Sequence, residues 1–422
     1  MHENIKDSKL QNHRTRSKHV ARTVRHWKSH KTWGNVTPSP APNPLLVHFA
    51  VEIDLESLNI LTSIIPGALR AFSLADFGLT SDLRSSQWQY WLFTDAAYVH
   101  TAVAISLVIR DFLLKRETSK ITSFHLRKAI HQLNKNLSDE KLSVSDVTVA
   151  VVMILGLASG ISNDLVAISA HATGLREIVR RRGGLDSFFN NPQLQIGMAR
   201  IDLCLSLISG QRPIFTTGPS SWANHTDTSP APSPCSPYPH IPGPKQPIND
   251  LVDTRIAAIF RNLQNITRTI NHATSSKHMI QSSKLHAGVL TAQYQLLGLE
   301  SKRHDVLSEC VRVTLLAFLT TTFQILGSRI KYKHITNQLR ELCQAIEVST
   351  EQLREVMFWV LMMGAVALFD SDEPWLRDKW RADVLPLTRG WQWTNAERLL
   401  KKFVWIDAIN EKAGKDVFEK MR

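Results

Sequence analysis

An all-α fold, a multi-helix array of packed antiparallel helices broken by one long proline-rich loop, is what this sequence predicts. Apolar residues recur at helical spacing behind recognisable caps, and no run alternates in the manner of a half-buried strand. Prolines are also segregated: Pro38, Pro40, Pro42 and Pro44, with nine more from Pro219 to Pro247, make up 13 of the 18, so few remain to interrupt helices. At 422 residues and 43% hydrophobic, the chain has enough apolar material for one large core, and no internal repeat is present.

The spacing predicts helices over about 95–115, 122–136, 144–161, 164–182, 193–209, 249–273, 281–298, 303–328, 335–345, 350–369 and 394–411. Ser143 or Ser145 can cap the third of these, with Asp146 in its first turn. Asp164 is placed to cap the fourth, in which Leu165, Ile168, Leu175, Ile178 and Val179 form one face. That helix runs into Arg180, Arg181 and Arg182, which meet the negative end of the helix dipole, and Gly183 supplies the left-handed residue that ends it. The following helix is closed by Gly210 and Arg212-Pro213. Ser349 with Gln352 and Thr394 with Glu397 have capping-box spacing. Behind the former, Leu353, Val356, Met357, Val360, Leu361 and Gly364 keep the i, i+3, i+4, i+7 pattern.

Charge divides the chain. Residues 1–33 contain nine Lys or Arg against Glu3 and Asp7, a net of +7, which leaves +6 of the total +13 for the remainder. We read 1–33 as a basic, flexible tail, 34–44 as a Pro-rich linker, and 45–422 as the helical body interrupted by loop 217–247. Within the tail, Val20, Val24 and Trp27 share a helical face, and Arg14, Arg16, Lys18, Arg22, Arg25 and Lys28 supply the cations. Such a segment suits phosphate binding, an import receptor, an acidic membrane surface or plain solvation. A mitochondrial presequence shares its Arg and His content, against which Glu3 and Asp7 weigh. In the loop, Ser229, Ser233 and Ser236 each precede proline, the dipeptide that a proline-directed kinase uses.

The sequence shows no catalytic motif: no Walker loop, no His-Glu-x-x-His, no dinucleotide turn, and no nucleophile elbow, since Gly156-Leu157-Ala158-Ser159-Gly160 sets its serine one place late. His171 with Asp202 as orienter would be the one general-base candidate, and a packed helical histidine is the simpler account. Asp202 beside Arg200 reads as one end of an ion pair to Arg176 or Arg180. Trp88, Tyr90, Trp91 and Phe93 read as core before pocket. The uncharged run 147–162 spans 16 residues, short of the roughly 20 that a bilayer requires, and 356–369 is shorter, so no transmembrane segment is expected. Four scattered cysteines and no signal peptide point to a reducing compartment.

Ordered short segments resemble the helical regulatory domain of fungal-specific transcription factors. They are His171, Gly174-Leu175, Ile178-Val179, Arg182-Gly183-Gly184-Leu185, Arg200-Ile201-Asp202-Leu203 and Pro213-Ile214-Phe215. Further ones are Trp91-Leu92-Phe93 with Tyr98 and His100, Trp359-Val360-Leu361 with Gly364-Ala365, and Phe403-Val404-Trp405-Ile406-Asp407. The resemblance implies a nuclear, otherwise cytoplasmic, regulator that is not an enzyme and has no cofactor. It would act on protein partners of the transcription machinery, on another regulator or on an effector, alone or as a homo-oligomer. The alternatives are a nonspecific nucleic-acid or membrane-surface binder working through the tail, and an unrecognised enzyme.

Such regulators often carry a zinc binuclear cluster, which requires six closely spaced thiolates. Here Cys204, Cys235, Cys310 and Cys343 lie 31, 75 and 33 residues apart. Either the DNA reader is encoded upstream of Met1, or regulation proceeds through other contacts, with nucleic-acid binding weak and nonspecific. The expected outcome of elemental analysis on the purified chain is less than one zinc per chain, with thermal unfolding unchanged by chelator. One or two bound zinc ions would overturn this reading.

Overall fold

The computed structural model describes residues 49–63, 79–80, 86–188, 190–215, 248, 250–276, 280–299, 305–322, 330 and 332–422; for 79–80, 86–87, 192 and 280–287 it describes the backbone alone. The tail 1–33, the linker 34–44 and the loop 217–247 lie outside these residues. The chain divides into units 1–48 and 49–422, and every described residue belongs to the second.

Helix α1 covers residues 55–63. It is followed by α2 (Ser86–Thr94), α3 (Ala96–Leu113), α4 (Lys120–Ser138), α5 (Asp146–Ile161), α6 (Leu165–Arg181) and α7 (Pro192–Ser209). The second half comprises α8 (Thr254–Ser276), α9 (Ser282–Gly298), α10 (Val306–Thr321), α11 (Lys333–Ala345), α12 (Glu351–Ala367), α13 (Pro374–Lys379), a π turn (Trp380–Val384), α14 (Leu385–Thr388), α15 (Trp393–Leu400) and α16 (Asp407–Met421). Among the described residues the only strands are β1 (Leu79–Thr80) and β2 (Ile280–Gln281), a two-residue parallel pair. The fold is all-helical.

Two enclosed helices, α12 and α10, organise the second half. Every residue of α12 from Val356 to Ala367 is buried, so α12 needs partners on all sides. It finds them in α10, α11, α15, α16 and the π turn. Helix α10 is buried nearly throughout in the same way, against α9, α11 and α12. In the first half α3 and α5 are central, α4 covers α3, and α6 covers α5. Helix α7 touches α5 and α6 on one side and α9 and α11 on the other, which joins the halves.

By length and composition α3 could cross a bilayer, a case that the hydropathy of 147–162 does not cover. Most of it is instead buried inside the protein, against α2, α4 and α5.

Local signals set most boundaries. Asp164 accepts the Ala167 N–H at 3.0 Å, and Ser145 accepts that of Thr148 at 3.3 Å, as their positions predict. Gly183, at φ 89°, ends α6: its N–H bonds the Arg180 carbonyl while the Gly184 N–H reaches back to Val179. Other starts differ from expectation. Helix α12 is capped by Thr350, one residue after Ser349, through the Leu353 N–H. At α15 Gln392 and Asn395 form the capping box, because the helix begins early enough to set Trp393 against Phe418; Glu397 instead pairs with Lys401.

The single helix expected over 394–411 is two, α15 and α16. Four successive apolar residues, Phe403 to Ile406, cannot share one helical face, and here all four are buried because the chain crosses the core unwound. The carbonyls that this frees are met by side chains. Gln264 donates to Lys402, Trp359 Nε1 to Val404 at 3.2 Å, and Asn271 to Trp405 at 2.9 Å while accepting the Asp407 N–H.

Helices α13 and α14 carried too short an apolar pattern to be read from sequence. Pro386, which supplies no N–H, follows the π turn, and Arg354 of α12 donates to the carbonyls of Ala382 and Asp383.

Gly364 and Gly174 set up a paired test. The Leu368 and Phe369 N–H groups both bond the Gly364 carbonyl, which pins the Phe369 ring where a Cβ on Gly364 would stand. Gly174 has only Val152 Cγ1 at 4.0 Å. Gly364→Val is expected to destabilise the protein by about 1–3 kcal/mol through overpacking, which outweighs any gain in helix propensity. Gly174→Ala is expected to add up to ~1 kcal/mol. Chemical denaturation of the two variants beside the wild type checks both signs.

Candidate functional site

The residues singled out in the sequence fall into two groups. Arg14, Arg16, Lys18, Arg22, Arg25 and Lys28 lie outside the described residues. The other twelve, His171, Gly174, Leu175, Arg182, Gly183, Gly184, Arg200, Asp202, Pro213, Trp359, Gly364 and Trp405, lie in the helical body, seven of them within helices and Arg182, Gly183, Gly184, Pro213 and Trp405 between helices.

Arg182 is the hub of the first junction. Its guanidinium donates to Asp146 Oδ1 and to the Val144 and Ser187 carbonyls, and stands 4.0 Å from the centre of the Phe188 ring. Asp146 in turn accepts from Asn191, the cap of α7. One guanidinium therefore ties together the start of α5, the end of α6 and the approach to α7. The left-handed Gly183 and Gly184 turn the chain sharply enough for Phe188 to come back beneath it.

Asp202 is the hub of the second. Its carboxylate accepts the Ile214 N–H at 2.5 Å, the Phe215 N–H at 2.9 Å and the Tyr294 hydroxyl at 3.1 Å. The ion pair expected with Arg176 or Arg180 is not what holds it, since Arg180 is engaged by Glu177 at 2.7 Å. Pro213 restricts the turn so that the next two N–H groups converge on one carboxylate. Burial pushes the Asp202 carboxyl up to about 6, opposed by these three donors. Buried Arg200 lies on the same helix near Tyr332, and burial pushes its guanidinium down to about 9.

His171 is not a general base oriented by Asp202, whose oxygens are committed elsewhere. Its Cβ packs over Gly156, and burial lowers its pKa, with Asp164 opposing. Leu175 is fully buried in the main core. Trp359 stacks on Phe403 at 5.2 Å and 7°, and Trp405 lies over Gly414, where a Cβ would come within 2.6 Å of the ring. Of the aromatic cluster, Trp88, Trp91 and Tyr98 pack together, whereas Tyr90 and Phe93 are exposed.

Two polar clusters were not evident from sequence. Glu309 and Arg312 form a buried pair at 2.6 and 2.7 Å, extended by Gln338 on α11 and the Leu296 carbonyl; its i, i+3 spacing was legible, its burial was not. In the other, Ser57 donates to Asp54 at 2.7 Å and lies 3.3 Å from His125 Nε2, while His125 Nδ1 is 3.2 Å from His100 Nδ1. The serine separates the carboxylate from the imidazole, so Asp54 does not orient the ring as a Ser-His-Asp relay requires. Nothing in sequence links residues 54, 57, 100 and 125. Among the described residues, no three His, Cys, Asp or Glu side chains are grouped to hold a metal.

Asp202 and the histidine pair act oppositely on stability. Burial lowers His100 to about 4, with His125 and Lys128 adding to the effect, so its contribution is present above pH ~6.5 and lost as pH falls. Asp202 is raised from 3.8 to about 6, so its contribution is full below pH ~3.8 and lost as pH rises through 6. The expected result for Asp202→Asn is that wild-type stability minus variant stability falls by roughly 2–3 kcal/mol between pH 4 and pH 7. Parallel denaturation curves at the two pH values check this, and a constant difference would refute it.

Comparison with known proteins agrees with this geometry. No curated protein and no solved structure matches the chain significantly. The family model described as fungal specific transcription factor domain matches residues 79–402, which span β1 to the end of α15 and include the Arg182 and Asp202 junctions. The family is a transcription-factor domain and not an enzyme family. This chain belongs to the fungal-specific transcription factor domain family.

Proposed function

We propose that this chain regulates transcription from the nucleus through contacts with other proteins or with an effector, without a zinc-cluster DNA reader inside its 422 residues. Family membership is the observation that carries the regulatory role. The roles of Arg182, Asp202 and Trp359, which brace helices and loops, support action by contact. The basic segment 1–33 supports nuclear entry, because nine cations against two carboxylates suit an acidic import receptor. The same segment would give weak, salt-sensitive attraction to nucleic acid.

The test joins location to activity. Fluorescently tagged full-length protein is expected to concentrate in the nucleus, and alanine at Arg14, Arg16, Lys18, Arg22, Arg25 and Lys28 is expected to disperse it. Fusion of the full chain to an unrelated DNA-binding module, with that module's own import signal, should change expression of a reporter bearing its site. Mitochondrial or plasma-membrane staining, or nuclear retention of the substituted protein, refutes the role of the tail. A reporter indifferent to the fusion refutes the regulatory reading.

A further inference from the structure

Helix α4 has one face that the fold uses and one that it leaves outside. Thr122, His125, Ala129 and Leu133 are buried against the body. At about 100° per residue, Lys120, Phe124, Arg127, His131 and Lys135 fall within about 80° of arc on the opposite side, with Lys128 at one margin and Ile130 and Leu137 together at the other, towards the buried face. All eight are exposed.

The composition of that face is one-sided. No Asp or Glu occurs from Lys120 to Ser138. Among the described residues, none of Lys120, Arg127, Lys128 and Lys135 pairs with a carboxylate; Lys128 instead lies 5.8 Å from the centre of the Phe124 ring. A solvated helical face ordinarily mixes both signs and gains from i, i+4 pairs. This one keeps four cations unneutralised around Phe124, which is 44% exposed, and is bordered on one side by Ile130 and Leu137, 43% and 39% exposed. From Lys120 to Lys135 the face runs about 22 Å, the length of a short docked helix.

We propose that the outward face of α4 is a docking surface for an acidic amphipathic segment of another protein. Its carboxylates would meet Lys120, Arg127, Lys128 and Lys135, and its large apolar side chains would cover Phe124, Ile130 and Leu137. Charge complementarity selects the occupant. The chain's own residues 1–33 carry +7 and are repelled by this face. A phosphate backbone would use the cations and leave the apolar side chains uncovered. The inference goes beyond the regulatory reading and is tested on purified protein, so it stands or falls apart from nuclear location or reporter activity.

The probe is a fluorescein-labelled 20-residue peptide with Asp and Glu on one helical face and Leu and Phe on the other. Controls are the same peptide with Ala at each Leu and Phe, and a 20-base-pair duplex. Binding to the full chain is followed by anisotropy at low and near-physiological salt. The expected result is saturable binding, weakened about tenfold by the combined substitution Arg127→Glu, Lys128→Glu and Lys135→Glu, and about fivefold by Phe124→Ser with Leu137→Ser. The Ala control peptide should bind correspondingly weaker. Thermal unfolding of each variant reports its fold, and Gln at the three basic positions replaces Glu if the reversed variant does not fold. Three results would overturn the proposal: no binding of the probe, binding undiminished in either variant, or tighter binding of the duplex that ignores Phe124 and Leu137.

Discussion

The enclosure of α12 is the constraint on which the rest of the structure depends. A helix without a solvent face cannot sit at the edge of a two-layer packing, so the chain must supply neighbours on all sides. Burying residues such as Phe358, Trp359, Leu361 and Met362 stabilises the protein by about 1.5–3 kcal/mol each before ordering entropy is counted. That gain explains why the segment after α15 unwinds. Leaving the helix costs backbone hydrogen bonds, but Gln264, Trp359 and Asn271 restore them, and Phe403 reaches the face of Trp359.

The junctions obey a different rule, because they join helix ends and not helix faces. Arg182 and Asp202 each collect several partners on one charged group, and both groups are largely shielded from water. Charge-assisted hydrogen bonds of this kind are stronger than neutral ones and costly to leave half-made. Truncating either hub would free several partners at once, so these positions tolerate change poorly without having any part in chemistry. A charged residue in a short motif can thus mark a structural joint.

Much of this was readable from residues alone. Helix existence followed from periodicity over α3 to α7 and α8 to α12, and the Asp164 and Gly183 boundaries followed from cap chemistry. What escaped had a physical cause in each case. The break after α15 depends on carbonyl partners more than 130 residues away in sequence, Gln264 and Asn271. The start of α12 fell one residue late, at Thr350, and that of α15 two residues early, at Gln392, where Trp393 meets Phe418. The partners of Asp202 include two backbone amides, which no side-chain pattern reveals. The four residues Asp54, Ser57, His100 and His125 meet only through the packing of α1, α3 and α4.

Helix α3 carries a liability that belongs to synthesis and not to the finished protein. It leaves the ribosome as an 18-residue segment apolar enough to be taken for a membrane span, and its partner α5 ends at Ile161, 48 residues after Leu113. At ~5–20 residues per second, α3 waits roughly 2–10 s for that cover. Of the helices that pack on α3, α4 is the one completed in that interval, 25 residues after Leu113, and its exposed side carries Lys120, Arg127, Lys128 and Lys135.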